Sequence, residues 1–197
     1  ARMREYTFIA QDDYRGIMDR YKCGSLLGKI AAFNRWDEDT MSDLCTVNLP
    51  YDSLSDPVLI KIHDRLIKAL NNREKVFVAG DYDADGLCGT AIMIRLLRAL
   101  KIKCGFYIPD RFKEGYGLNP DRTSQAIEKG YRLFILVDNG VKAFGALDLL
   151  KQKNIGVIIL DHHTIEQDPD VYALFHPDVI KGGCAWLCGA GCSLEVV

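Results

Sequence analysis

Val76-Phe77-Val78-Ala79-Gly80-Asp81-Tyr82-Asp83-Ala84-Asp85-Gly86 is the stretch that decides the fold. Its first four residues are apolar and mostly β-favouring, which predicts a buried strand over residues 76–79. The chain then turns at Gly80 and presents three carboxylates at alternate positions, Asp81, Asp83 and Asp85. A helix-forming run over residues 87–100 follows. The acidic cluster is therefore expected at the carboxyl end of a strand, which is where ligands bind in open α/β sheets.

Three carboxylates this close together repel one another when all are ionised, and a bound divalent cation removes that cost. Oxygen ligands of this kind suit Mg²⁺, Mn²⁺ or Ca²⁺. The run Asp-x-Asp-x-Asp-Gly also begins an EF-hand calcium loop, but that loop needs a Glu at its twelfth position. Counted from Asp81, the twelfth position is Ile92, so the EF-hand interpretation is excluded.

The composition is that of an ordinary globular protein, with 48% hydrophobic and 26% charged residues in a chain of 197. No apolar run is long enough to span a membrane. The net charge of −2 argues against binding of nucleic acid through bulk positive charge, although it leaves room for a local basic groove. The first residues lack the apolar core of a secretion signal, and none of the seven cysteines forms a Cys-x-x-Cys pair. We therefore expect reduced thiols and a cytoplasmic location.

Strands and helices alternate along the chain after an irregular, partly helical lead-in that we place at residues 1–55. Within the lead-in, helices are predicted over residues 12–21 and 25–36, and residues 37–56 are polar and turn-rich. The order predicted from residue 56 onward is helix 57–70, strand 76–79, helix 87–100, strand 104–108, helix 120–129, strand 133–137, helix 143–153, strand 157–160 and strand 172–175. This alternation predicts an α/β domain over residues 56–197, with a mostly parallel five-stranded sheet and helices on both faces.

Two further polar motifs follow the predicted strands directly. Asp138-Asn139-Gly140 comes after the third strand, and Asp161-His162-His163 comes after the fourth. Taken alone, the first is also a common turn and the second could be a surface pair. Right-handed crossovers, however, bring the carboxyl ends of successive parallel strands to the same edge of a sheet. We therefore expect all three motifs to share one metal site, to which imidazole would also contribute.

These three motifs, in this order on alternating strands, resemble the DHH phosphoesterase superfamily and, in detail, RecJ-type single-strand-specific DNA exonucleases. Residues 78–86 are close to the first motif of that family. Residues 108–118, Ile-Pro-Asp-Arg-Phe-Lys-Glu-Gly-Tyr-Gly-Leu, are similar to its loop after the second strand. Residues 188–191, Cys-Gly-Ala-Gly, are similar to a later glycine-rich motif, and residues 54–57 to the segment before the core. The resemblance covers residues 54–192.

The resemblance implies a two-metal phosphodiesterase that uses Mn²⁺ or Mg²⁺ and releases mononucleotides from single-stranded DNA in the 5′-to-3′ direction, as in DNA repair and recombination. By the same resemblance, Asp81 and Asp83 would hold one ion, Asp85 and His162 would hold the other, and Asp138 would bridge them.

Two residues of the third motif would act on the substrate side. The resemblance implies that His163 contacts the scissile phosphate and that Asp161 orients the histidines. Two ions about 3.5–4 Å apart can hold a phosphate, deprotonate a bridging water and stabilise the leaving oxygen.

The loop after the second strand supplies candidates for binding the DNA. Arg111 and Lys113 could bind phosphate oxygens, or they could be a solvent-facing basic pair. Tyr116 and Phe112 could stack on a base, as in proteins that bind single strands. For Phe112, packing in the core is an equal alternative.

Cys184, Cys188 and Cys192 are spaced as if on one face of a helix. Three soft ligands could hold Zn²⁺, but a fourth is not evident in the sequence. Small buried side chains are therefore the better interpretation of these cysteines.

The resemblance is incomplete toward the end of the chain. The family has a further metal-ligand aspartate after the double histidine and a second domain that grips the substrate, whereas Asp178 is the last aspartate here. We therefore expect an incomplete ligand set for the second ion and a DHH domain truncated at its C-terminus. Two alternatives stay open: a DHH phosphoesterase that acts on short oligonucleotides, cyclic dinucleotides or pyrophosphate, and a non-catalytic binding module. The loop at residues 111–118 favours the exonuclease.

Overall fold

The computed structural model describes residues 14–45, 55–180 and 187–197. The chain divides into two compact units, residues 1–50 and 51–197. The domain boundary predicted at residue 55 stays a prediction. Two positions used in the sequence interpretation, residue 54 and Cys184, lie outside the described residues. No helix in the described ranges is long and apolar enough to cross a membrane.

The first unit, where it is described, consists of three helices: α1 (Tyr14–Tyr21), α2 (Ser25–Asn34) and α3 (Glu38–Cys45). α3 corrects the prediction that residues 37–56 are turn-rich. Asp37 begins this helix, since its Oδ1 accepts a hydrogen bond of 2.8 Å from the Thr40 N–H. The helix was missed because its apolar pattern is weak, with Met41 as its buried hydrophobic side chain.

The second unit contains the sheet. Its elements in chain order are α4 (Pro57–Asn71), β1 (Lys75–Ala79), α5 (Ala84–Ala99), β2 (Cys104–Tyr107), α6 (Pro120–Glu128), β3 (Tyr131–Val137), α7 (Phe144–Gln152), β4 (Gly156–Leu160), β5 (Ala173–Phe175) and α8 (Gly189–Glu195). All pairs of neighbouring strands are parallel, in the order β2-β1-β3-β4-β5. The predicted fold class is confirmed.

The sheet is covered on both faces, because successive side chains of a strand point to opposite sides. Val76 and Val78 of β1 belong to a core that includes side chains of α4, α5 and α8. Phe77 and Ala79 belong to a second core with side chains of α6 and α7. This double burial is why the central strands are continuous apolar runs rather than alternating ones.

Two helix starts position the first motif. α4 begins as predicted, with the Asp56 side chain accepting hydrogen bonds from the N–H groups of Val58 and Leu59. α5 begins earlier than the predicted residue 87. Asp83 is its N-cap and accepts a 3.0 Å hydrogen bond from the Gly86 N–H, so Asp85 lies inside the first turn. The early start needs glycine, since a Cβ on Gly86 would lie 2.6 Å from the Asp81 backbone.

Backbone pairing continues one residue beyond three of the strands. The N–H of Gly80 donates to the Tyr107 carbonyl at 3.0 Å, that of Asp138 to the Leu160 carbonyl at 2.9 Å, and that of Asp161 to the Phe175 carbonyl at 3.3 Å. The three motifs therefore begin where the sheet's own hydrogen bonding ends, along a single carboxyl edge.

Candidate metal centre

The structure brings side chains from all three motifs together at the carboxyl edge of the sheet. Ligand atoms of Asp81, Asp83 and Asp138 lie within 4.8 Å of one another, and so do those of Asp138, His162 and His163. Asp138 is common to both groups. Asp85 lies beside the second group, because its Oδ2 is 3.5 Å from His162 Nε2. The predicted metal ligands are thus neighbours in space, in two clusters that share one carboxylate.

The backbone around Asp138 is held in an unusual conformation. Asp138 has a φ of +58°, in the left-handed region that a non-glycine residue occupies at a cost. The next side chain braces this turn, since the Asn139 amide donates to the carbonyls of Ala79 at 3.0 Å and Val137 at 2.8 Å. This buried amide links the ends of β1 and β3 and so fixes the separation of the first two motifs. The sequence analysis gave Asn139 no role.

Asp85 is held from the other side by the start of α8. The N–H groups of Gly189 and Ala190 donate to its two carboxylate oxygens, each at 2.7 Å. Burial by itself would raise the pKa of Asp85, but the Cys188 thiol and these two N–H groups donate to the carboxylate and lower its pKa below the usual range. Asp85 is therefore kept ionised and oriented.

The cysteine interpretation needs correction at this point. Cys188 precedes α8 and is exposed, whereas Cys192 is buried within α8, so these two do not share a buried helical face.

Gly189 is required for close packing, since a Cβ there would lie 2.6 Å from Asp138 Cβ. The contact with Asp85 spans more than a hundred positions of chain, and local sequence gave no signal of it.

The double histidine is positioned by Asp161, which is fully buried. Its Oδ1 accepts hydrogen bonds from the N–H groups of His162 at 2.8 Å and His163 at 3.2 Å, and also lies 2.8 Å from His163 Nδ1. A further residue, His176, was missed. The Asp178 N–H donates to His176 Nδ1, so the other ring nitrogen carries the proton and donates to the His163 carbonyl at 2.8 Å.

The donor set fits divalent cations. Asp81 and Asp138 are 3% and 1% exposed, and in the described residues the Oδ1 atom of each has no hydrogen-bond partner. Asp138 Oδ1 lies 3.2 Å from His162 Nε2, but outside hydrogen-bonding geometry. A buried polar atom without a partner is costly. A cation bound between these oxygens and the imidazole would remove that cost, and such mixed ligands suit Mn²⁺ or Mg²⁺.

The pKa values of the buried carboxyl groups also reflect their burial and mutual repulsion. Burial, together with the charges of Asp85 and Asp83, raises the pKa of Asp138 to about 8. Burial and the neighbouring Asp83 charge also raise the pKa of Asp81. Both shifts belong to the chain without cations, and they show that the fold holds these acids together against their mutual repulsion.

The predicted DNA-binding residues lie in different environments. The Arg111 guanidinium lies over the Tyr82 ring, 5.2 Å from its centroid. Tyr82 lies between Asp81 and Asp83, so Arg111 adjoins this acidic turn. The Lys113 side chain is 81% exposed, and its Nζ lies 3.6 Å from Asp110 Oδ2. Phe112 is 95% exposed, so core packing is wrong for it.

Tyr116 alone of these loop residues has its polar atom among the metal-centre groups. Its hydroxyl donates to the Asp138 carbonyl at 2.7 Å and lies 3.1 Å from His163 Nδ1. Burial and the charges of Asp161 and Asp138 raise the pKa of Tyr116 above its usual value, so the hydroxyl stays protonated.

Fold and site together define a parallel α/β protein with a candidate cation-binding cluster at the carboxyl edge of its sheet. The sequence matches the model of the DHH family, N-terminal domain, over residues 75–197. The chain belongs to the DHH family.

Relatives agree with this assignment. The chain is similar to the single-stranded-DNA-specific exonuclease RecJ of Bacillus subtilis, at 38% identity over 151 residues, which are 74% of this chain and 19% of that protein. It is also similar to the crystal structure of an exonuclease RecJ bound to manganese, with 35% identity and a TM-score of 0.68 over 75% of this chain and 38% of that one. A RecJ structure in complex with Mn²⁺ from Thermus thermophilus matches with 28% identity and a TM-score of 0.66, covering 93% of this chain and 26% of that one. The chain thus spans about a fifth of the length of the Bacillus subtilis relative.

Proposed function

We propose that the chain is the catalytic part of a metal-dependent phosphodiesterase that hydrolyses single-stranded DNA from one end. The observation that carries the proposal is the pair of donor clusters sharing Asp138, with buried oxygens of Asp81 and Asp138 that lack hydrogen-bond partners in the described residues. The relatives support the choice of substrate and metal, since they include a single-stranded-DNA-specific exonuclease and manganese-bound RecJ structures.

In this proposal one cation would be held by Asp81, Asp83 and Asp138. A second would be held by Asp85, Asp138 and His162. Bound there, the ions supply Lewis acidity that activates water and offsets the charge of the phosphate. The contribution of the chain is to orient the carboxylates and, at Asp85, to keep the carboxylate ionised.

The remaining predicted residues would act on the substrate. Asp161 accepts the Nδ1–H of His163 and orients the ring, and a proton on Nε2 would donate to a phosphate oxygen. Arg111 and Lys113 are exposed cations that would contact phosphates away from the cleaved bond. By the family resemblance we further propose 5′-to-3′ release of mononucleotides in the cytoplasm, as part of DNA repair and recombination.

The direct test incubates the chain with Mn²⁺ and single-stranded DNA labelled at the 5′ or the 3′ end, with duplex DNA and a dinucleotide in parallel. We expect the 5′ label to be released first, as a mononucleotide, and the duplex to resist. Cleavage of the dinucleotide alone would reject the exonuclease in favour of a small-substrate phosphoesterase.

Calorimetric titration with Mn²⁺ separates both enzymes from a non-catalytic module. We expect stoichiometric binding that Asp83→Ala abolishes, since that carboxylate belongs to the first donor cluster. Binding without cleavage of any substrate would reject a catalytic role for this chain, and absence of binding would reject the metal site itself.

A further inference from the structure

Among the described side chains, the Tyr116 hydroxyl alone is hydrogen-bonded both to the backbone of Asp138 and to the ring of His163. It lies 2.7 Å from the carbonyl oxygen of Asp138 and 3.1 Å from His163 Nδ1. The first contact is to the residue shared by both donor clusters, and the second is to the histidine proposed to meet the phosphate. A loop residue from beyond β2 thus contacts the motifs that follow β3 and β4.

Counting protons fixes the direction of these bonds. A carbonyl oxygen only accepts, so the single hydroxyl proton of Tyr116 goes to the Asp138 carbonyl. The hydroxyl oxygen then has only lone pairs to offer His163, whose Nδ1 must carry a proton. The Asp161 carboxylate, 2.8 Å from the same nitrogen, makes the same demand. Two acceptors therefore share one Nδ1–H, and both hold the ring through this nitrogen.

From this geometry we propose that Tyr116 is a positioning residue, whose hydroxyl holds the His163 ring and the Asp138 backbone in their working arrangement, rather than a stacking platform for a DNA base. The inference rests on the proposed hydrolase function, because it assigns Tyr116 a part in that site.

The ring of Tyr116 packs against the ring that its hydroxyl holds. It meets the His163 ring edge-on, with centroids 5.5 Å apart and an interplanar angle of 71°. Phe112, in the same loop, is 95% exposed and is the aromatic side chain with open faces. If a DNA base stacks on this loop, it would stack on the exposed ring of Phe112.

The loop that carries Tyr116 is itself anchored. The Glu114 carboxylate accepts a 3.0 Å hydrogen bond from the Asp110 N–H and a 2.8 Å bond from Arg122 Nε on α6. These bonds fix the loop on both sides of its turn and attach it to a helix. Tyr116 therefore reaches the metal centre from a braced support, as a positioning group requires.

The bond to Asp138 stabilises a backbone that is otherwise unfavourable. Asp138 has a φ of +58°, and its N–H is held by the Leu160 carbonyl at 2.9 Å. Tyr116 holds the carbonyl of the same residue. With both of its backbone polar groups bonded, Asp138 keeps its carboxylate directed at the two clusters.

Two substitutions separate the roles kinetically. Tyr116→Phe keeps the ring and removes the hydroxyl, and Tyr116→Ala removes both. If Tyr116 positions His163, the Phe variant loses about 10–100-fold in kcat on single-stranded DNA, with KM nearly unchanged. If it stacks on a base, the Phe variant keeps its activity and the Ala variant raises KM, a result that would overturn the inference. Tyr172→Phe is the matched control, since Tyr172 is similarly exposed (38% against 45%) and lies before β5.

A second readout needs neither metal nor activity. The chain has four histidines, so the imidazole nitrogens can be assigned in ¹H–¹⁵N long-range spectra of the metal-free protein. In Tyr116→Phe we expect the His163 Nδ1 signal to move and its proton to exchange faster with water, while His63 stays unchanged as internal reference. An unchanged His163 signal would refute the positioning role. A wild-type chain that cleaves no DNA would refute the proposed function instead, and these spectra would still decide the role of Tyr116.

Discussion

The two edges of the sheet carry opposite charges and bury them to different extents. At the amino edge, where helices end and strands begin, six bases are exposed: Arg73, Lys75, Lys101, Lys103, Lys129 and Lys153. A seventh, Arg65, is buried there and is paired with Glu74 at 2.6 Å. Cations there are favoured by the adjacent helix C-termini, and Lys75 Nζ donates to the Lys129 carbonyl at 2.9 Å. At the carboxyl edge, Asp81, Asp138 and Asp161 are buried. The amino edge is arranged for stability, whereas the carboxyl edge keeps acids together at a cost that a bound cation, or a retained proton, removes.

Asp138→Asn gives the largest effect expected from this contrast. The amide keeps the size of the side chain and tolerates the left-handed backbone, but it removes the charge shared by the two clusters. We expect hydrolysis of single-stranded DNA to fall by at least about 10²–10³-fold, as for loss of one main electrostatic group. Initial rates at saturating Mn²⁺ measure this. A fall of less than about tenfold would contradict the central place given to Asp138.

In the absence of metal, Asp138→Asn should stabilise the fold near neutral pH, because it removes a buried acid whose ionisation is unfavourable. Because the Asp138 pKa is raised from 3.8 to about 8, the folded chain retains a proton that the unfolded chain releases. The contribution of Asp138 to stability should therefore be fully present below about pH 4 and be lost as the pH rises through about 8. Denaturant unfolding in a chelator should show this decline in the wild type and a shallower one in Asp138→Asn. Equal slopes would show that Asp138 does not hold the proton.

Asp161→Asn tests the support beneath the histidines. The amide can still accept from the N–H groups of His162 and His163, but it is a weaker acceptor for His163 Nδ1–H and can present a donor there instead. We expect a loss of about 10–100-fold in kcat, with Mn²⁺ affinity less affected than in Asp138→Asn. Rates and calorimetry on the same samples check the order. Equal losses of Mn²⁺ affinity in the two variants would place Asp161 among the ligands.

The sequence predicts the sheet and the positions of the three motifs better than it predicts the contacts that hold their side chains. Short apolar runs that alternate with helical segments along the chain predict the sheet, and parallel topology brings Asp81, Asp138 and Asp161, which follow three of its strands, to one edge. What it does not give are contacts between distant segments, such as those from Tyr116 to His163 and from Gly189 to Asp85. No periodicity encodes these contacts, because they depend on how finished elements pack. α3 was missed for a different reason, since its few apolar side chains make a weak helical pattern.

Gly189→Ala tests one of those distant contacts. The new Cβ would lie 2.6 Å from Asp138 Cβ, so α8 must move and the two N–H donors to Asp85 move with it. We expect a loss of about 1–3 kcal/mol in the free energy of unfolding, together with weaker Mn²⁺ binding. Gly145→Ala is the control, because its Cβ would meet only Pro120 Cγ at 3.2 Å. If the Gly189 variant loses stability but keeps its Mn²⁺ affinity, the contact is structural only.

The smallest expected effect compares two exposed lysines at opposite edges. Lys113 lies in the loop beside the acidic turn, 81% exposed, and Lys103 lies at the start of β2 on the amino edge. If Lys113 contacts a phosphate, Lys113→Ala should weaken binding of single-stranded DNA a few-fold and lower the slope of log K against log salt by about one. Lys103→Ala should change neither. Fluorescence anisotropy across a salt series measures both variants with Ca²⁺ in place of Mn²⁺. Equal changes in the two would mean that net charge, and not the edge of the sheet, governs how this chain meets DNA.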